Sequence, residues 1–186
     1  NLFLINPAGI VFGTNASLNI GGSFLGSTAD RLLFNDGTEF NATQTTKPLL
    51  TINAPIGLGI RDNPGNITNQ ASEFGLQVDP GKSIALVGGN VSLDGGLIGA
   101  PGGIVALGGL TTAGEIRLSE DGSLNVSEGA TRGNVSLNNG AFVDVTGNSG
   151  GSINVYANNL EILDGSSLIA GIREGFGFAG AQAGDI

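Results

Sequence analysis

Three charged side chains stand where a β-rich chain could put them to chemical use: Arg117, Asp144 and Glu161. Each lies inside a short apolar-x-apolar run, Ile116-Arg-Leu118, Val143-Asp-Val145 and Leu160-Glu-Ile162. Two carboxylates facing each other across a cleft can cleave a glycosidic bond, one as acid and the other as base or nucleophile. A calcium held by carboxylates, with a basic residue to take a proton, can open an acidic polysaccharide instead. The middle position of such a run points away from the buried side, where a charge is ordinarily just solvated. A polysaccharide lyase or hydrolase is therefore the alternative reading, and no catalytic residue is assigned.

Other chemistry is excluded by what the chain lacks. It has His 0 and Cys 0, so a Ser-His pair, a thiolate nucleophile and the usual His or Cys zinc site are all ruled out. Gly75 to Ser83 ends in Gly81-Lys82-Ser83, but five residues separate Gly75 from Gly81 where a phosphate loop needs four. Gly175-Phe-Gly-Phe-Ala-Gly180 fits the dinucleotide glycine spacing without the strand and helix that give it meaning. The Gly-Gly-x-Gly-x-Asp repeat of calcium-binding solenoids is missing, and Thr is too scattered for an ice-binding face. No metal or cofactor is expected. Six Asn-x-Ser/Thr triplets, at Asn15, Asn41, Asn66, Asn90, Asn125 and Asn134, match the glycosylation acceptor. Asparagines stacked at successive turns as amide ladders are the simpler expectation for them.

Composition bounds the partners. The 186 residues carry Lys+Arg 7 against Asp+Glu 16, a formal charge of −9, with 34 Gly and only 12% charged residues. So few cations cannot neutralise a row of phosphates, which argues against nucleic acid. No apolar run approaches the roughly 20 residues of a membrane-spanning helix, and membrane insertion is not expected. Disordered chains are poor in apolar residues, whereas 40% of these are hydrophobic.

The elements that would position any site are short. From residue 83 onward apolar-x-apolar runs recur: Ile84-Ala-Leu86, Val91-Ser-Leu93, Ile104 to Leu107, Ile116-Arg-Leu118, Leu124-Asn-Val126, Val135-Ser-Leu137, Val143-Asp-Val145, Ile153-Asn-Val155 and Leu160-Glu-Ile162. Gly, Asn, Asp and Ser separate them, as in Gly88-Gly89-Asn90 and Asp121-Gly122-Ser123. Alternation at period two predicts strands, and the spacers predict turns. The runs starting at 116, 124, 135, 143, 153 and 160 step alternately short and long, which fits coils of about 18 to 20 residues. Gly89-Asn-Val-Ser-Leu93 returns as Gly133-Asn-Val-Ser-Leu137, 44 residues on, and two coils of about 22 would explain the interval. A β-sandwich also uses short alternating strands, but it buries large aromatics, and this chain has Trp 0 and Tyr 1. The prediction is an all-β fold, a parallel β-helix in which stacked Val, Ile and Leu fill a narrow tube.

Residues 1–29 also read as coils, with runs at Leu2 to Ile5, Ile10-Val-Phe12, Leu18-Asn-Ile20 and Ser23-Phe-Leu25. Residues 30–75 are irregular, with Pro48, Pro55 and Pro64. They predict an excursion outside the tube that packs its Phe residues against one face and covers strand edges.

The opening Asn1-Leu-Phe-Leu-Ile-Asn-Pro-Ala-Gly-Ile-Val-Phe-Gly13, continued by Asn15-Ala-Ser-Leu-Asn-Ile-Gly-Gly-Ser-Phe24, resembles the haemagglutination-activity, or two-partner-secretion, domain of filamentous-haemagglutinin-like exoproteins. The resemblance continues through Pro48 to Asn53, Pro80 to Asn90, Leu93 to Gly96 and Ala100 to Gly109, so it runs in order over residues 1–110. It implies a right-handed parallel β-helix, secreted to or displayed on the surface of a Gram-negative-type bacterium. The family's outer-membrane β-barrel transporter recognises the module through periplasmic domains, and host or surface glycans or proteins are the implied adhesion partners. Its Asn-Pro-Asn-Gly-Ile motif is represented by Asn6, Pro7, Gly9 and Ile10, with Ala8 at the third position. These four residues are the implied transporter-recognition motif, and further parts of the family domain are expected upstream of Asn1. Residues 111–186 are expected to be repeat stem within one continuous solenoid, with Gly184-Asp-Ile186 opening another coil.

One coil cannot bury its own apolar face, so stability comes only from stacking on a neighbour. An emerging chain would add coils one at a time outside the membrane, biasing transport outward, and without Cys no covalent loop can jam the pore.

Overall fold

The computed structural model describes residues 1–43, 54–119 and 123–186. The expected segment at 48–53 and the Asp121-Gly122 turn lie outside them. Period-two runs of Val, Ile and Leu between Gly and Asn corners can only make short strands, and the described secondary structure is entirely β. The first coil has β1 (Leu2–Ile5) and β2 (Ile10–Phe12). The second opens with β3 (Phe24–Ser27), leaves the tube for β4 (Arg31–Phe34), β5 (Glu39–Asn41) and β6 (Pro55–Ile60), and returns for β7 (Ile67–Asn69) and β8 (Leu76–Gln77). The third runs uninterrupted through β9 (Ile84–Gly88), β10 (Val91–Asp94) and β11 (Leu97–Gly99). The fourth begins with β12 (Ile104–Gly109), leaves for β13 (Gly114–Leu118) and β14 (Leu124–Val126), and closes with β15 (Val135–Asn138) and β16 (Phe142–Asp144). The fifth holds β17 (Ser152–Tyr156), β18 (Leu160–Ile162) and β19 (Ser167–Ile169).

Strands of successive coils stack as three parallel sheets. Face one is β1-β3-β9-β12-β17, face two β2-β7-β10-β15-β18, and face three β8-β11-β16-β19. Registers are unshifted, as in Ile10↔Ile67, Ile67↔Val91, Val91↔Val135 and Val135↔Leu160 along face two. The molecule is a right-handed parallel β-helix, the hand that parallel crossovers take. Its interior is a column of fully buried Ile67, Ile84, Leu86, Leu93, Leu107 and Leu137. The narrow tube holds the ring pair Phe12–Phe24 (centroids 6.0 Å, 75°). Beside it, a Cβ on Gly26 would press on Leu86 Cδ2 at 3.2 Å while reaching only ordinary contact with the two rings. Leu18 and Ile20 pack on this core without joining a strand. At the far end Ile153 N–H donates to Asp185 O (2.9 Å), so Gly184-Asp185 continues the stack.

Both departures leave from the corner between faces one and two, on alternate coils, and they meet outside. β4, β5 and β6 join β13 and β14 in an antiparallel sheet of order β14-β13-β6-β4-β5, with Ile116 paired to Leu58 on one side and Val126 on the other. This corrects three expectations. The runs 116–118 and 124–126 are not stem coils but a hairpin outside the tube. The first excursion is narrower than 30–75, because Ile67–Asn69 is already a rung of face two. The 44-residue interval is one coil plus an inserted arm, since β10 and β15 are direct neighbours.

The outer sheet lies on the outside of face one and makes a second core. Leu32, Phe34, Leu58, Ile60, Ile116 and Leu124 pack against Leu25, Val87 and Ala106, which point outward from the tube. Phe34 and Phe40 cover the face as expected, whereas Phe74 remains exposed at the opposite corner. Burying both sides of face one explains why β12 reads almost continuously apolar (IVALGG) instead of alternating.

Candidate functional site

The Asn6–Ile10 segment forms the first-coil corner between faces one and two, and its backbone is pinned by hydrogen bonds within the turn and to the second coil. Asn6 N–H donates to Ser27 O (2.9 Å), and its own carbonyl accepts Gly9 N–H (3.1 Å), closing a tight turn. The Asn6 Oδ1 accepts Ala8 N–H (3.1 Å), the side-chain-to-backbone bond that makes Asn a turn former. Pro7 pre-sets its own φ. Gly9 sits at φ +127, in the region that side-chain-bearing residues avoid, and Ile10 then drops into the tube core. All four expected residues are thus brought together. Ala8 is exposed and contributes its backbone N–H to the turn, whose special geometry comes from Asn6, Pro7 and Gly9.

The corner is completed from the second coil. Gly65 N–H (3.2 Å) and Ile10 N–H to Asn66 O (3.0 Å) tie the two coils together, the former bonding to Pro7 O. A Cβ on Gly65 would run into the backbone of Ala8 and Gly9, so only glycine permits the approach. The same column recurs upward: Gly89 faces Pro64 O and Asn66, and Gly133 faces the Gly89 carbonyl. Beside it runs an amide ladder. Asn66 Oδ1 accepts Asn90 N–H (2.9 Å) and Asn90 Nδ2–H (3.2 Å), and Asn90 Oδ1 accepts Asn134 N–H (2.8 Å). Three of the six Asn-x-Ser/Thr triplets are therefore rungs of one structural ladder.

Arg61 is a contributor that sequence reasoning missed. It follows β6, at the end of the first arm, and its Nη2 donates to Pro7 O at 3.0 Å. A signal for this region existed: Asn63-Pro-Gly-Asn-Ile67 repeats the pattern of Asn6-Pro-Ala-Gly-Ile10, and the structure stacks the two in register. Asn63 takes a positive φ of 49° just before Pro64.

The groups weighed for polysaccharide chemistry are kept apart. Asp144 is half-buried on face three, where its Oδ1 accepts Thr146 N–H (2.7 Å). Glu161 lies on the outside of face two, and Arg117 on the outer sheet. Among the described residues no three His, Cys, Asp or Glu side chains converge as metal ligands. A cleft of about 200 Å³ between face one and the β13–β14 hairpin is lined by Phe3, Leu25, Ala106, Leu118 and Leu124, and its described lining holds no carboxylate. Gly75 and Gly81 are positive-φ turn residues, and Gly175 to Gly180 form an exposed loop.

No curated protein and no solved structure matches the chain. The family model described as the TPS secretion domain matches residues 1–155, which takes in the first-coil corner, both arms and all but the final coil's last two faces. On that match, and on the parallel solenoid that carries it, the chain belongs to the TPS secretion domain family, the module of two-partner-secretion exoproteins.

Proposed function

We propose that the chain is a non-catalytic export module whose Asn6–Ile10 corner is what the periplasmic domains of its outer-membrane transporter read. The observation that carries the reading is the density of fixed contacts around an exposed turn. Asn6 and Ala8 are open to solvent, while the backbone beneath them is held by Ser27, Gly65, Asn66 and Arg61. Exposed polar residues on a rigid support are a common design for recognition. The rod beyond the second arm, from Gly133 onward, serves as stem and spaces an adhesive parent protein from the surface of a Gram-negative-type bacterium, with host or surface glycans or proteins as its targets.

Binding of the chain to the isolated periplasmic domains of its transporter tests the reading. Asn6→Ala removes the side-chain acceptor of the turn, and an affinity about tenfold weaker is expected, the range of one well-placed hydrogen bond. Ala8→Asn, which restores the family residue, is expected to bind at least as well as the natural chain. Equal affinity for wild type and Asn6→Ala would remove the corner from recognition.

A further inference from the structure

We propose that Arg61 is the positioning residue of the Asn6–Ile10 corner and that the second arm holds Arg61 in place. The corner's final geometry is then set by chain that follows it by more than 100 residues. The Pro7 carbonyl has two lone pairs, and it accepts one bond from Gly65 N–H (3.2 Å) and one from Arg61 Nη2 (3.0 Å). The first comes from the adjacent coil, as every rung bond does. The second comes from an arm, and that arm is fixed by its partner arm on both sides of Arg61.

Immediately before Arg61, Ile60 pairs with Gly114 across β6 and β13. Immediately after it, Asp62 Oδ1 accepts Ala113 N–H (2.8 Å), and Asn63 N–H donates to Thr111 O (3.1 Å). Pro64 is buried and has no N–H to offer, so it ends the strap and returns the chain to the tube. Arg61 itself is exposed and makes no ladder pair. Its backbone direction is therefore set by residues 111–114 together with the β4 pairing that ends at Gly59, whose carbonyl accepts Asp30 N–H (3.1 Å). From there its guanidinium reaches to Pro7. Until the second arm has docked, neither flank of Arg61 has its partner and the first-coil corner is held by rung bonds alone.

The coupling does not depend on which partner reads the corner. A partner that engages Asn6–Ile10 in an extended, unfolded chain meets it unclamped, and docking of the second arm converts it to the clamped form.

Amide hydrogen exchange on the whole chain tests this. Arg61→Ala is expected to speed exchange of the Ala8, Gly9 and Gly65 amides about tenfold. It should leave unchanged the Val145 amide, which bonds Ile169 O (3.0 Å) far along the tube. Arg61→Lys keeps a donor and is expected to restore rates to within about twofold of wild type. The decisive variant is Asp62→Ala, whose side-chain bond among the described residues is to the second arm. It should speed exchange at Ala113 and, through Arg61, about threefold at Gly9 and Gly65. Acceleration confined to Ala113 would overturn the coupling, as would equal acceleration at Val145, which would mean general loosening. Loss of the Asn6→Ala effect on transporter binding would remove the recognition reading and leave these exchange results standing.

Discussion

Ile116 and Leu137 are both fully buried aliphatics at the centre of short strands, yet what buries them arrives from different parts of the chain. Leu137 is paired with Leu93 of the coil before and Ile162 of the coil after. Ile116 is paired with Leu58, which belongs to an arm that left the tube two coils earlier. The third coil passes between the two departures, turning at Gly88-Gly89-Asn90 without an arm of its own. The tube can therefore grow, because each coil needs only its predecessor as a template. The outer sheet has to close, because β13 finds its partner only after three coils are in place. Local, sequential contacts are quick to form, and a pairing across a long intervening segment is slow. For a chain that emerges in order, growth and closure are separate events.

The largest expected effect comes from breaking closure alone. Ile116→Asp places a carboxyl in the core between face one and the outer sheet, at an expected cost of about 4 kcal/mol to that sheet. Amides of β6 and β13 should lose their protection from exchange, while those of β10 and β15 keep most of theirs. If protection falls equally along the whole tube, the outer sheet is not a separate unit and the contrast drawn above is wrong.

A cavity inside the tube should behave in the opposite way. Leu137→Ala removes a fully buried side chain at an expected cost of about 3 kcal/mol. The loss should spread to both neighbouring rungs, Leu93 and Ile162, because each coil is the only template for the next. Thermal unfolding followed by exchange at β10, β15 and β18 reports this. An effect confined to β15 would mean that the coils are more independent than their stacking implies.

These two positions also mark where the sequence could be read and where it could not. Leu137 sits in Gly133-Asn-Val-Ser-Leu137, whose Gly and Asn are demanded by the glycine column and the amide ladder, so the corner residues announce the rung. Ile116 and Leu118 alternate in the same way, but period two is common to parallel and antiparallel strands, and alternation carries no information about which sheet a strand joins. The distinguishing signal was at the corners. No Gly-Asn-Val/Ile-Ser/Thr tetrad precedes residues 116 or 124, and the tetrad at Gly133 marks the return to face two. The Asn6–Ile10 corner was legible because Asn, Pro and Gly each supply a specific turn property. Arg61 was not, since a lone exposed Arg after an irregular stretch gains its role only when the first arm folds back over 54 residues onto Pro7.

The amide ladder gives a finer comparison, because it lies in the tube but at the corner from which both arms depart. Asn90→Ala removes the acceptor for Asn134 N–H and the donor to Asn66 Oδ1. Asn134 is exposed and water can take over its bond, so a loss of about 1 kcal/mol is expected. It should appear as a lower urea midpoint with an unchanged slope. A changed slope would mean that the outer sheet opens together with the ladder, joining the two regions at this corner.

The smallest effect belongs to Asp94, and its pH dependence separates tube from outer sheet without altering the core. Hydrogen bonds from Gln70 Nε2 (3.0 Å) and Asn139 Nδ2 (2.6 Å), the former contributing more, hold its carboxyl below the usual carboxylate range. Gln70 belongs to the second coil and Asn139 to the fourth, so the carboxylate of the third coil bridges its two neighbours. A folded value below the unfolded one means that the folded state binds fewer protons. The contribution is present above about pH 4, where the unfolded group is ionised, and is lost as pH falls through the folded value. Asp94→Asn keeps an acceptor but does not titrate, so the stability gap between wild type and variant should narrow as pH falls below about 4. Urea midpoints at pH 7, 4 and 3 measure that gap, and exchange at Val91 and Ile116 locates it. Narrowing seen at Val91 and absent at Ile116 places the group in the growing tube. A gap that stays constant with pH would mean that the two amides bind the neutral carboxyl as well as the charged one.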